Sequence, residues 1–323
     1  MRIVFLLFAV ILPTSVFASD PLTQSEKDHF SALGQQVLQR VQGYYGQADL
    51  LKNVNIATLP MEADKNAGYH NEEVELGGFR DTILIDFDRS SSRLTSFFNV
   101  ALSNQPNPEL GQPPKKIWNK EQVQAKAERF VIAVLGKMPE EACKEAVVEF
   151  TPQVLFARDG SKRYRLGTWR VVWYRQNKQG VKFQYDTIIV QMIDGEEPLG
   201  LGYNFWSSYQ DSDAQPIPAE KAMALAKEQA QKIMAWRPGA MWLQDFKLLD
   251  QPKSELQIVN PNHLLSQSQV TGERDATARL AWVVTYPKIY TGTKGANGAA
   301  PPGGYIEVWI DAETGEFLGG TFL

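Results

Sequence analysis

The sequence predicts an α+β protein made of repeated modules, each a single helix packed on an antiparallel β-sheet. Three observations predict it. An aspartate after an aliphatic residue, then a turn and a second short apolar run, recurs in "ILIDFDRSSSRLTS", "VQMIDGEEPLGLG" and "VWIDAETGEFLGG". An amphipathic helical stripe precedes each phrase. Between stripe and phrase lie runs rich in Val, Ile, Tyr and Trp, broken by turn formers. The spacing of about 100 residues is that of a domain-sized unit, not of a solenoid repeat.

The elements follow in order. Residues 1–18 read as a secretory signal peptide: Arg2, an apolar run from Ile3 to Leu12, and Val16-Phe17-Ala18 ahead of the cut. The chain is therefore expected to be exported, to the periplasm or beyond the cell. No later run approaches the ~20 apolar residues that span a bilayer. In the first unit, 19–108, Thr23 and Glu26 have capping-box spacing, and Phe30, Leu33, Val37, Val41 and Tyr44 make one helical face. The runs "NVNIATL", "EEVELGGF" and "DTILIDF" follow as strands.

The second unit, 109–211, has its boundary within the turn-former cluster at 103–116. Asn119 precedes the stripe Val123, Ala127, Phe130, Val134. Three β-rich runs follow, separated by Asp159-Gly160 and by a turn ending at Gly180. The third unit, 212–323, opens with Pro216 and Pro218 ahead of Ala222, Ala226, Ala230 and Ile233. Its strands are "FKLLD", "ELQIV", "RLAWVVTYP" and "YIEVWID". Periodicity leaves open whether the units share one sheet.

The final stretch, "LAWVVTYP" through "YIEVWIDAETGEFLGG", resembles the PepSY family through Trp282, Val283, Val284, Val308, Ile310, Asp311, Thr314, Gly315, Glu316 and Gly319. The second unit is similar more loosely, through Trp169, Val171, Val172, Ile193 and Asp194; the first keeps Ile85 and Asp86. The resemblance implies a small PepSY/cystatin-like helix-on-sheet module. Such modules occur in exported bacterial proteins and in propeptides of secreted peptidases, with binding or inhibition as the implied role. A peptidase inhibited by this protein would be a separate chain.

Candidate chemistry is sparse. The net charge of −4 and pI near 5.6 argue against nucleic acid as the main partner. Cys143, the one cysteine, lies among acids that disfavour the thiolate, so a buried, inert thiol is expected. His29, His70 and His263 form no metal-binding spacing, so neither metal nor cofactor is expected. The Gly-rich stretch 291–304 joins two strands and reads as a hairpin loop, not a phosphate cradle. Glu72-Glu73, Glu140-Glu141 and Glu196-Glu197 are sequence neighbours, which point to opposite faces of a strand.

Asp86, Asp194 and Asp311, with Thr314 and Gly315, are expected to shape turns: aspartate accepts backbone N–H bonds two residues on, and glycine supplies positive φ. No residue is assigned a catalytic role. Trp169 and Trp282 are expected in the core. Tyr203, Phe205 and Trp206, beside a linker, are the candidate binding aromatics. The function expected is a non-enzymatic binding or regulatory protein that engages an unidentified protein or peptide, such as a peptidase or another envelope protein. The alternative is a carboxylate-based hydrolase of cell-envelope polymers. Nothing in the sequence indicates an oligomeric state.

Overall fold

The computed structural model describes residues 20–46, 51–65, 72–107, 109–156, 162–212, 214–235, 246–262, 277–291 and 304–322. Residues 1–18, expected from the sequence to be a signal peptide, and His70, His263 and nearly all of the Gly-rich loop lie outside them. The chain is α+β.

Helix α1 (Gln24–Tyr45) starts at the predicted capping box: Glu26 N–H donates to Thr23 Oγ1 at 3.2 Å, and Thr23 N–H donates to Glu26 Oε2 at 2.7 Å. Its buried face is Phe30, Val37, Leu38 and Val41. Four strands follow: β1 (Met61–Lys65), β2 (Glu72–Gly77), β3 (Ile83–Asp88) and β4 (Leu94–Asn99), then a single turn, α2 (Val100–Ser103). Helix α3 (Lys120–Leu135) carries a second capping box, Asn119 with Gln122, and ends at Gly136 in the left-handed region, φ 88°. It leads into β5 (Val147–Phe156), β6 (Lys162–Gln176), β7 (Lys182–Ile193) and β8 (Pro198–Asn204). Helix α4 (Ala219–Ala235) is followed by β9 (Phe246–Leu248), β10 (Lys253–Val259), β11 (Arg279–Tyr290), β12 (Gly304–Asp311) and β13 (Phe317–Phe322).

The first eight strands form one antiparallel sheet in the order β1-β2-β3-β4-β8-β7-β6-β5. Its seam is β4 against β8, with Phe97 opposite Leu201 and Phe98 opposite Gly200. A Cβ on Gly200 would lie 2.5 Å from the Phe98 ring and 2.8 Å from Phe97 O, so only glycine allows this approach. Helices α1 and α3 lie side by side over the seam: Arg40 Nη2 donates to Val134 O at 2.9 Å, and the Tyr44 and Phe130 rings meet edge to face at 5.3 Å. One apolar core runs beneath both, through Phe30, Leu76, Ile85, Phe97, Phe130, Trp169, Trp173 and Leu201.

The last strands form β10-β11-β12-β13, with β9 also on β11. This sheet joins the first through one parallel residue pair, Ile258 opposite Phe183, at the part of β7 that β8 no longer covers. Helix α4 packs on one face through Ala222, Ala226, Ala230 and Ile233, against Val284, Ile306, Val308 and Ile310. The opposite face, Ala281, Val283, Trp309 and Leu318, packs against Tyr185 of β7. At its free edge Asn262 closes both groups of Gly320, donating to its carbonyl at 2.7 Å and accepting from its N–H at 3.1 Å. No helix among the described residues is long and apolar enough to cross a membrane.

Candidate functional site

Asp311 closes β12 as the sequence predicts. Its Oδ1 accepts from Glu313 N–H at 3.0 Å, Thr314 N–H at 2.7 Å and the Thr314 hydroxyl at 2.9 Å. Asp311 N–H donates to Glu316 O at 2.7 Å, and Gly315, at φ 79°, donates back to Asp311 O at 3.0 Å. Oδ2 pairs with Arg279 at 2.8 Å, and the same guanidinium reaches Glu316 at 3.0 Å.

The turn after β3 has the same pattern, two residues further along than the phrase predicts. The aspartate that shapes it is Asp88, not Asp86. Asp88 Oδ1 accepts from Ser91 N–H at 2.7 Å and from the Ser90 and Ser91 hydroxyls. Asp88 N–H donates to Arg93 O, and Ser92 N–H returns to Asp88 O, both at 2.8 Å. Ser92, at φ 57°, stands where Gly315 stands in the last turn. The reason is strand phase: the final residue of β3 enters the turn, while Asp86 lies two residues earlier, on the outer face of the sheet.

Asp194 departs differently. Its turn is made by Gly195, at φ 92°, while the 2 % exposed carboxylate reaches away from it. Oδ2 accepts from Ile117 N–H at 2.7 Å, and Oδ1 accepts from Trp118 N–H at 3.1 Å and Trp169 Nε1–H at 2.9 Å. Asp194 therefore anchors the chain entering α3. The last unit makes the matching joint with backbone groups: Ile217 N–H donates to Ala312 O at 2.6 Å, and Trp282 Nε1–H donates to Ile217 O at 2.9 Å. The three phrase aspartates do not converge on one site.

Asp86 sits opposite Glu75 of β2 and Ser96 of β4. Burial first, then the negative charges of Glu73 and Glu75, push its carboxyl up to about 8, while a hydrogen bond from Ser96 pulls the other way. The folded state thus binds this proton more tightly than the unfolded chain. The stability so gained is complete at low pH and is lost as pH rises from the ordinary carboxylate range through about 8. Asp86→Asn, which needs no proton, is expected to exceed the native chain in stability by ~2–4 kcal/mol at about pH 9. The gap should close towards about pH 4. Urea midpoints at the two ends check it; an equal difference at both would refute the shift.

The candidate aromatics are mostly interior. Phe205 is 5 % exposed and belongs to the main core. Tyr203 meets it edge to face at 4.9 Å, beneath the Arg93 guanidinium at 5.3 Å. Trp206 is half-buried. Trp169 is buried and Trp282 half-buried, both turned to their helices. Cys143 is buried, and burial pushes its thiol up, away from the reactive thiolate. Among the described residues no group of three or more His, Cys, Asp and Glu is placed to hold a metal ion.

A cleft of about 370 Å³ adjoins the Asp311 turn. One wall is the linker Tyr209, Gln210, Asp211 and Ser212; the other is Thr277, Ala278, Arg279 and Leu280, with Asp311 and Glu313 between. The walls are pinned by Ala278 N–H donating to Ser208 O at 2.8 Å. Inside the cleft Arg279 is held by Asp311 and Glu316, which leaves the lining acidic through Asp211 and Glu313. Sequence reasoning placed Asp311 but not the cleft. The linker carries ordinary turn formers, and only the fold lays it beside β11.

No family model matches this chain, and no curated protein matches it. Among solved structures it is similar to the Bacillus megaterium YpeB C-terminal domain, at 10 % identity and a TM-score of 0.39, over 94 % of this chain and 99 % of that one. It is also similar to an uncharacterised protein from Eubacterium rectale, at 12 % identity and a TM-score of 0.47, over 90 % and 81 %. Likenesses this remote fix no activity.

Proposed function

We propose that the chain is an exported, non-enzymatic binding or regulatory protein. Its repeated PepSY-like units engage a protein or peptide partner, such as a peptidase or another envelope protein, through the cleft beside Asp311. The cleft carries the reading. Two extended segments from different units wall it, and its lining mixes an aromatic ring, hydroxyls and carboxylates, the surface that receives a polypeptide segment. Asp311 serves as its frame, holding the turn after β12 in place.

The test is capture from envelope and culture-supernatant extracts with tagged residues 19–323, followed by reconstitution with the purified partner. Asp211→Lys and Glu313→Lys reverse the charge of the lining without touching the core. Both are expected to weaken the reconstituted complex. Undiminished binding by both variants would remove the cleft from the interface. Turnover of a cell-envelope polymer, lost with the same changes, would establish the hydrolase instead.

A further inference from the structure

A second polar corner lies where the two sheets meet. Between the pairs Tyr174–Thr187 and Gln176–Lys182 the register advances two residues on β6 and five on β7. The bulge this makes in β7 aims Gln184 and Tyr185 at the last sheet. Gln184 Nε2 donates to Glu307 Oε2 of β12 at 2.7 Å, and the Tyr185 ring meets Trp309 at 5.9 Å.

Two buried polar atoms here lack a protein partner. Gln184 Oε1 accepts no hydrogen bond, and the Trp309 indole N–H, on a residue 0 % exposed, leans towards the Glu307 carboxylate without completing one. An unsatisfied buried group is destabilising, so a pair at one spot calls for an explanation. Burial holds the Glu307 carboxyl above its usual range. Gln184 and Trp309 pull it down and Glu255 pushes it up, with no lysine or arginine among the described groups acting on it. Tyr174 and Tyr305, both half-buried, lie near enough for Glu307 to raise their hydroxyl pKa values.

We propose that this corner binds a primary ammonium group, the side chain of a lysyl residue in a peptide partner. Glu307, Gln184 Oε1 and the rim carboxylate Glu255 are acceptors for its three N–H donors, and the tyrosine rings suit its charge and methylene stem. A bound cation keeps Glu307 ionised, the form that best accepts from Trp309 and Gln184. The proposal takes its class of partner from the binding reading above, but its site is separate from the cleft.

The test follows the Trp309 indole N–H resonance of the whole mature chain, assigned by its loss in Trp309→Phe. Nα-acetyl-lysine amide is expected to shift it saturably, and Nα-acetyl-norleucine amide, which lacks the ammonium, is expected not to. Glu307→Gln should weaken the lysine compound about tenfold or more, and Gln184→Leu should weaken it several-fold, with the fold intact by circular dichroism. A shift with norleucine, no shift with lysine, or full affinity in Glu307→Gln would overturn the proposal. So would a response to glucosamine alone, which would make the ligand an amino sugar. A failed titration with partner capture intact removes the ammonium site alone; a working titration with capture lost only through Asp211 and Glu313 leaves it standing.

Discussion

Arg175→Met is expected to destabilise the fold by ~3–5 kcal/mol, because it strands a buried carboxylate. Asp186 is 0 % exposed. Its carboxylate is 2.9 Å from Arg175 Nη1 and accepts from the Ser207 hydroxyl at 2.6 Å, and Ser207 in turn lies 2.9 Å from Asn260. The guanidinium also donates to Ser207 O at 2.8 Å and stacks on Phe183 at 4.4 Å. Four segments are thus tied together: β6, β7, the linker after β8 and the end of β10.

Burial already pushes the Asp186 carboxyl up, although Ser207 and Arg175 pull it down. Without Arg175 the carboxyl takes up a proton more readily still, so the loss in the variant should deepen as pH rises. The double change Arg175→Met with Asp186→Leu should recover much of the loss, since an apolar pair leaves no charge buried alone. Urea unfolding of the single and double variants across pH measures both effects. A single-variant loss below ~1 kcal/mol would mean that water reaches Asp186 and supplies what Arg175 did.

Asp194→Ala should cost ~3 kcal/mol or more, since it removes the acceptor of three donors at once. Ile117 N–H, Trp118 N–H and the Trp169 indole would be left without it, two of them at the entry to α3. Asp194→Asn keeps one oxygen but turns an amide donor towards a donor, so it should recover only part of the loss. Amide and indole hydrogen exchange gives the specific signature: protection should fall at 117–118 and at Trp169 Nε1, well before the α1 face opens. Uniform loss of protection would instead place Asp194 in the global core.

What could be read from the sequence was local. Val123, Ala127, Phe130 and Val134 state the buried face of α3, and Thr23 with Glu26 state the start of α1, because those contacts span three or four residues. The Asp311 turn was readable for the same reason. The first turn was misplaced because Asp86 matches the phrase while Asp88 ends the strand, and a serine there adopts the positive φ that glycine would have advertised. Asp194 matched the phrase too, yet its partners Ile117, Trp118 and Trp169 lie tens of residues away.

The sequence by itself determined an α+β chain with three helical stripes, each followed by strands, with Asp311, Thr314 and Gly315 closing the last hairpin. Hydrophobic period and turn chemistry act over a few residues and are written there directly. Tertiary structure alone decided that β4 and β8 fuse two meanders over one core, and that the last sheet meets β7 through the backbone pair Ile258–Phe183 and through side chains packed beside it. It also decided that Arg175 meets Asp186 and that Gln184 meets Glu307. Gln184 and Glu307 are far apart in the chain, and even Arg175 and Asp186, on neighbouring strands, meet only through the register of β6 on β7. Register is set by the packing of whole sheets, which no short stretch of sequence contains.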